Sequence, residues 1–359
     1  MVQNKAVIFK EPPEAMPENG KHLVLEDVGF DLSAVPHDGA ILKIIYASFD
    51  PYLRGRMRDK SVKSYFPAFD LHAPIATGLI ARVVKSSNKN FTEGDIVRTF
   101  GPLQEYWAVD KEAINDVNPV TQLPLVEKLS NPHGIDLMEF LGAVGMPGVT
   151  AYSSFHEIGK PKKGEVIFIS AASGAVGSLV GQLAKHQGLT VYGSVGDDDK
   201  LKYIINELGF DGGFNYKKEE PKEALARLAP DGIDIYFENV GGETLQAAFD
   251  ALRTFGRIIV SGMISQYNLP REKQYRLAGT ETIFGRRIKI QGFILGDPDF
   301  GPKWGKEHVD NVSQWIAEGS FKTKYHVTRG MDDAIDGLLD IFRGGNFGKA
   351  ILEVSPPSA

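Results

Sequence analysis

The residues best suited to chemistry lie in one short loop, Ile169-Ser170-Ala171-Ala172-Ser173-Gly174-Ala175-Val176-Gly177. The loop follows an apolar run, Glu165–Ser170, and opens a stretch in which Val176, Val180, Leu183, Ala184 and Gln187 recur at spacings of three and four. This predicts a strand, a tight turn and an amphipathic helix. The pattern is A-x-G-x-x-G, with Ala172 where the first glycine of G-x-G-x-x-G usually sits. In that context Gly174 lets the backbone approach a pyrophosphate, and Gly177 lets the helix pack on the strand. Free N–H groups and the helix dipole favour an anion there. The competing reading is a small-residue turn that holds no ligand.

The following unit bears on which dinucleotide would bind. NAD enzymes usually end the second strand with an acid that binds the ribose 2′-OH. Here that strand, Thr190–Ser194, ends in Tyr192-Gly193-Ser194 with no acid. Spacing alone makes Asp197 a candidate, but Asp197, Asp198 and Asp199 suit the N-cap of a helix running from Asp198 to Gly209. Lys200 in the first turn opposes the helix dipole, and a 2′-phosphate beside it would offset that cost. A solvated surface lysine is the plainer alternative. The balance predicts NADPH over NADH.

Other chemistries are poorly supplied. There are no cysteines, which removes thiolate nucleophiles, disulfides and cysteine-held zinc. The eight histidines include no His-x-x-x-His pair. A net charge of −6 gives no electrostatic reason to expect nucleic acid or an anionic membrane as partner. No run of eighteen apolar residues occurs, the start has no apolar stretch of signal-peptide length, and Pro357-Ser358-Ala359 is not a peroxisomal address. The expectation is a cytoplasmic protein.

A chain of 359 residues suits two domains. Residues 1–130 read as β-rich, with strands at Lys5–Phe9, Ala40–Ala47, Leu79–Lys85 and Ile96–Phe100. From 131 to 321 strands alternate with helices, the pattern of a doubly wound parallel sheet, an α/β fold. Further strands are predicted at Gly213–Asn215, Ile233–Glu238, Arg257–Ser261 and Lys289–Phe293. Residues 322–359 end in Lys349–Val354, read as a strand that returns to complete the first domain.

Further segments carry a resemblance. Leu141–Tyr152, Asn239-Val240-Gly241-Gly242-Glu243 and Phe255-Gly256-Arg257-Ile258 resemble the medium-chain dehydrogenases/reductases. Asp50-Pro51-Tyr52-Leu53-Arg54, Phe214-Asn215-Tyr216-Lys217, Ile264-Ser265-Gln266-Tyr267-Asn268 and Asn346-Phe347-Gly348-Lys349 resemble the prostaglandin reductase and NADP-dependent alkenal double-bond reductase branch. The resemblance implies a Rossmann domain beside a GroES-like catalytic domain built from both chain ends, with NADPH in the cleft between them. It implies Lys200 and Tyr216 at the 2′-phosphate, and Gly174, Ala175, Val176 and Gly177 along the pyrophosphate. Gly196, Asn239, Ser261, Gly262, Tyr267, Phe293, Leu295, Asn346 and Gly348 match other cofactor positions, and Met146 and Thr150 lie near the nicotinamide. Zinc-dependent relatives carry a cysteine where this chain has Ser48-Phe49-Asp50, and Gly-His-Glu where it has Ile75-Ala76-Thr77-Gly78. The expected enzyme is therefore zinc-independent. Thr77 falls where some plant enzymes have a pocket tyrosine, and Met57–Ala73 is longer than in the animal enzymes, so substrate identity does not carry over.

The implied activity is reduction of a carbon–carbon double bond conjugated to a carbonyl, with hydride delivered to the β carbon. Tyr267 and Tyr52 are the candidate catalytic donors to the carbonyl oxygen, and Arg54 reads as a salt-bridge partner. A quinone or carbonyl reductase is the alternative within the fold, and a non-catalytic NADPH-binding sensor the alternative outside catalysis. The resemblance also implies a homodimer, for which the run Arg287–Phe293 is a candidate edge.

Overall fold

The computed structural model describes residues 1–118 and 121–357. The chain divides into two compact units, Met1–Gly142 with Tyr325–Ala359, and Ala143–Lys324.

The second unit holds a six-stranded sheet, parallel throughout. Its spatial order is Gly212–Asn215, Thr190–Val195, Val166–Ile169, Ile233–Glu238, Leu252–Val260 and Lys289–Gly292. In chain order this is 3-2-1-4-5-6, the Rossmann arrangement, and the order reverses between Val166–Ile169 and Ile233–Glu238. Central strands of a parallel sheet are covered on both faces, so they read as near-continuous apolar runs. Ile167, Phe168, Ile169, Ile235, Tyr236 and Phe237 are all buried, and the Phe168 and Tyr236 rings stack in register at 5.1 Å.

The strand predicted at Arg257–Ser261 begins earlier, at Leu252. Phe255 within it has a φ of +65° and faces solvent. The pairing with Ile233–Glu238 also slips there. An exposed residue in left-handed conformation breaks the apolar pattern that a sequence reading follows.

The first unit is β-rich. Its main sheet runs Tyr325–Arg329, Lys349–Glu353, Ala40–Ser48, Ala76–Ser86, Ile96–Pro102 and Val126–Lys128, with Tyr106–Val109 also paired to Ala40–Ser48. The C-terminal strand lies antiparallel to Ala40–Ser48, with Ile351 opposite Ser48. A smaller sheet joins Leu23–Asp27, Lys5–Phe9 and Ala73–Pro74. Leu42, Ile44, Leu79, Ala81 and Leu352 form part of one core.

The change of texture near Lys128 marks the last strand of this sheet, not the end of the unit. Residues 131–142 contain no strand, yet the turn Leu137–Leu141 buries Phe140 and Leu141. Tyr325 donates a hydrogen bond to Glu139. The unit therefore reaches Gly142 rather than 130, and resumes at Tyr325 rather than 322.

Candidate active site

Every strand of the parallel sheet ends toward a candidate residue. Gly174–Gly177 follow Val166–Ile169, Gly196 and Lys200 follow Thr190–Val195, and Tyr216 follows Gly212–Asn215. Asn239 follows Ile233–Glu238, Ser261, Gly262 and Tyr267 follow Leu252–Val260, and Phe293 and Leu295 follow Lys289–Gly292. Parallel strands put all their carboxyl ends on one edge, where ligands of open α/β sheets bind.

The glycine turn is built for close backbone approach. A Cβ on Gly177 would lie 2.5 Å from the Ala171 carbonyl oxygen, so the helix Gly177–His186 can start there only without a side chain. Ala172, in place of a first glycine, is fully buried, and its amide donates to the Ser194 carbonyl. Its methyl is accommodated by Gly193, where a Cβ would come within 2.6 Å of it. The departure from the glycine pattern is thus compensated on the neighbouring strand.

Asp197 is the N-cap of the helix Asp198–Asn206, accepting from the Lys200 amide at 2.9 Å. That use takes up one of its oxygens, in keeping with a cap rather than a ribose ligand. The Lys200 side chain is only 8% exposed, and its Nζ lies 3.7 Å from Asp197 Oδ2. It is a buried cation at a helix start rather than a solvated lysine. Tyr216 is partly exposed, and a Cβ on Gly196 would lie 2.9 Å from its hydroxyl. The missing side chain at Gly196 lets the Tyr216 hydroxyl lie against the main chain, and Lys200 supplies a positive charge at the start of the adjacent helix.

In the helix Met146–Ser154 only Met146 and Thr150 are not buried. They are four residues apart and share a face. Phe293 stacks on Phe300 at 4.9 Å, and the Leu295 carbonyl accepts from Gly301. In the first unit, Asn346 Nδ2 donates to the Gly348 carbonyl at 2.8 Å, and Gly348 has a φ of +82°.

Tyr267 closes the turn Ile264–Gln266. Its hydroxyl oxygen accepts the Met263 N–H at 3.1 Å and sits beside Gly262, where a Cβ would be 3.0 Å away. Burial raises its pKa above the ordinary phenol value, against the lowering pull of that N–H. The group stays a neutral phenol through physiological pH, with its O–H available to donate. Tyr52 is half-buried and stacks on Phe66 at 5.4 Å. Burial and the nearby Asp50 carboxylate push its pKa up, while Arg56 and the Thr77 hydroxyl pull it down. Arg54 donates to the Pro13 and Ala15 carbonyls, so it helps tie the N-terminal segment down through main-chain oxygens.

Two groups of residues escaped the sequence reading. Glu238, the last residue of the central strand, is fully buried. It accepts hydrogen bonds from the Gly241 amide at 2.8 Å, the Tyr236 hydroxyl at 2.9 Å and the Val240 amide. In the first unit Lys349 donates to the Phe49 carbonyl at 2.6 Å and to Asp50 Oδ1 at 2.8 Å, while Ser48 donates to the other Asp50 oxygen. Burial pulls the Lys349 pKa down and Asp50 draws it back up. The signals were present, an acid closing an apolar strand and a lysine after Asn346-Phe347-Gly348, but nothing in the sequence named their partners. Among the described residues no three His, Asp or Glu side chains group as a metal site would require.

A doubly wound dinucleotide-type sheet with a phosphate-suited glycine turn in one unit, and a second, β-rich unit built from both chain ends, define the medium-chain reductase architecture. Residues 175–317 match the family described as zinc-binding dehydrogenase, and residues 5–117 match the N-terminal domain of oxidoreductase. A protein of Cochliobolus heterostrophus, "NADP-dependent oxidoreductase RED1", is 50% identical over 99% of both chains. A "2-alkenal reductase (NADP(+)-dependent)" of Nicotiana tabacum is 38% identical over 99% of this chain and 98% of that one. The crystal structure of CurA from Vibrio vulnificus in complex with NADPH superposes with a TM-score of 0.84 at 30% identity, covering 98% of this chain and 100% of that one. The chain belongs to the zinc-independent medium-chain dehydrogenase/reductase family.

Removing one partner of a buried ion pair leaves the other charge uncompensated, at a cost of about 3–5 kcal/mol. Lys349→Met should destabilise the protein by that order in urea titration. Adding Asp50→Leu should restore most of the loss, since neither charge of the pair is then left buried without its partner.

Proposed function

We propose that this protein is an NADPH-dependent reductase of carbon–carbon double bonds conjugated to a carbonyl, acting on 2-alkenals or enones. The observation that carries the reading is Tyr267, a half-buried neutral phenol whose oxygen already accepts a main-chain N–H and whose proton is left to donate. The tobacco 2-alkenal reductase at 38% identity supports the substrate class, and the NADP-dependent relatives and the buried Lys200 support the cofactor.

The main chain of Gly174–Gly177 would hold the pyrophosphate, and Lys200 with Tyr216 the 2′-phosphate. Met146 and Thr150 present the exposed face of their helix for the nicotinamide end. When bound, NADPH supplies a hydride to the β carbon of the substrate. The residues must then meet the negative charge that develops on the carbonyl oxygen. Tyr267 does this as a donor, strengthened because its own oxygen is polarised by the Met263 N–H. Tyr52 is the second donor, held protonated by burial and by Asp50.

Steady-state oxidation of NADPH and of NADH with 2-alkenals, an aryl enone, a quinone and a plain ketone tests the reading. The expected result is turnover of the enones with NADPH to the saturated carbonyl. Quinone turnover above that of the enones would reassign the acceptor, and tight NADPH binding without turnover would make the protein a sensor. Tyr267→Phe should lower kcat on enones about 10²- to 10³-fold, the usual effect of losing one donor to an oxyanion.

Loss of a charge-assisted bond to phosphate corresponds to about 10- to 100-fold in affinity. Lys200→Ala should therefore raise the KM for NADPH by that factor and leave the KM for NADH nearly unchanged.

The strand Lys289–Gly292 is the solvent-facing edge of its sheet, with Lys289, Ile290 and Gly292 exposed. An unpaired edge favours pairing with a second copy. A homodimer is part of the proposal, and sedimentation of a monomer at micromolar concentration would remove it.

A further inference from the structure

We propose that Glu238 is a positioning residue for Tyr267: its buried carboxyl sets the turn from which the whole Tyr267 loop hangs. The inference rests on the function proposed for Tyr267, since the positioning matters to turnover only if that phenol acts.

Glu238 ends the strand Ile233–Glu238, and its side chain turns back on its own chain. One oxygen accepts from the N–H groups of Val240 and Gly241 and from the Tyr236 hydroxyl. Successive main-chain N–H groups converging on one oxygen form an anion nest. Holding both of them fixes the chain direction over Asn239–Gly241. Gly241 adopts a φ of +80° there, a conformation open to glycine. Asn239 is pinned from the other side, its N–H donating to Ser170 Oγ and its side chain to the Ser170 carbonyl. The other carboxyl oxygen is buried with no hydrogen-bond partner among the described residues. A group buried at that cost is expected to do something that an apolar residue could not.

The carbonyls of Glu238, Asn239 and Val240 carry the next loop. Glu238 O accepts from Ser261 and Gly262, Asn239 O from Ile264, and Val240 O from both the amide and the hydroxyl of Ser265. Gly241 packs against Met263 and Gln266, where a Cβ would be 3.1 Å from either side chain. Met263 in turn donates its N–H to Tyr267 Oη. The path is unbroken: the carboxyl fixes 239–241, the carbonyls of 238–240 fix 261–265, and that segment fixes the phenol. Because the acting atom is an acceptor oxygen, glutamine can replace glutamate in this role and leucine cannot.

The test uses the full-length protein carrying Glu238→Leu or Glu238→Gln, each alone and combined with Tyr267→Phe. Amide exchange over residues 261–267, read by mass spectrometry without cofactor, needs no activity. It should accelerate at least tenfold in Glu238→Leu and stay within about threefold of wild type in Glu238→Gln. The kcat on an enone should fall at least tenfold with Glu238→Leu in the wild-type background, and less than twofold in the Tyr267→Phe background. Unchanged exchange in Glu238→Leu, equal losses in both backgrounds, or a glutamine variant as impaired as the leucine variant would each overturn the proposal. Should Glu238→Leu fail to fold, Ser265→Ala cuts the same path at its exposed end. It should speed exchange over 261–267 at an unchanged Tm, and unchanged exchange would overturn the idea. If the wild-type protein turns over no enone, the function reading fails, and the exchange measurement alone still decides the role of Glu238.

Discussion

The buried carboxyl of Glu238 is the interaction on which the edge of the parallel sheet depends. A carboxyl group in an apolar layer is tolerated only where donors converge on it. Here two amides and a phenol from within five residues do so. Burial still raises its pKa, so desolvation exceeds what those donors return. The stability given up leaves a main-chain turn rigid enough to carry a second loop. Since the order of the sheet reverses between Val166–Ile169 and Ile233–Glu238, this turn lies where an α/β sheet opens its crevice.

The first unit solves a related problem with cations. Arg56 lies over the rings of Phe66 and Phe69 at 4.4 and 4.1 Å and donates to the Pro67 and Ala76 carbonyls. Its burial brings its pKa down to about 10, so it is charged at neutral pH. Arg58 holds the carbonyls of Gly55, Val62 and Phe66. Two arginines thus fix much of the long segment Met57–Ala73, and Phe66, fixed with it, forms the face on which Tyr52 stacks. A loop of this length without regular structure would be costly to order. Cation–π contacts and carbonyl ligation supply part of the order, and Met57 and Phe69 anchor the segment in the unit's core.

How far the sequence could be read followed from the range of the interactions. The Rossmann sheet was legible because a buried parallel strand is apolar along its length, and Ile233–Glu238 was predicted to the residue. The cap at Asp197 was legible because a capping carboxylate and the amide it accepts are three residues apart. Lys200 was half legible: its clash with the helix dipole was visible, its burial was not. Asp50 and Lys349, 299 positions apart, meet only because the C-terminal strand pairs with Ala40–Ser48. Glu238 was hidden differently. Two of its partners are near in sequence, but they are the main-chain amides of Val240 and Gly241, which carry no residue signature.

Tyr52 and Tyr267 have the same functional group in different settings. Tyr52 packs against a hydrophobic core and a neighbouring ring, so apolar contact holds its position. Tyr267 is held through its oxygen, by one main-chain N–H at the end of a relay of hydrogen bonds. Apolar packing tolerates small displacements of a ring, whereas a hydrogen-bonded oxygen is fixed in distance and direction. Stabilising a charge that exists only in the transition state demands donors already in place, because reorganisation at that moment adds to the barrier. On that criterion Tyr267 has the better-prepared hydroxyl, whereas the hydroxyl of Tyr52 also answers to Thr77 and Arg56.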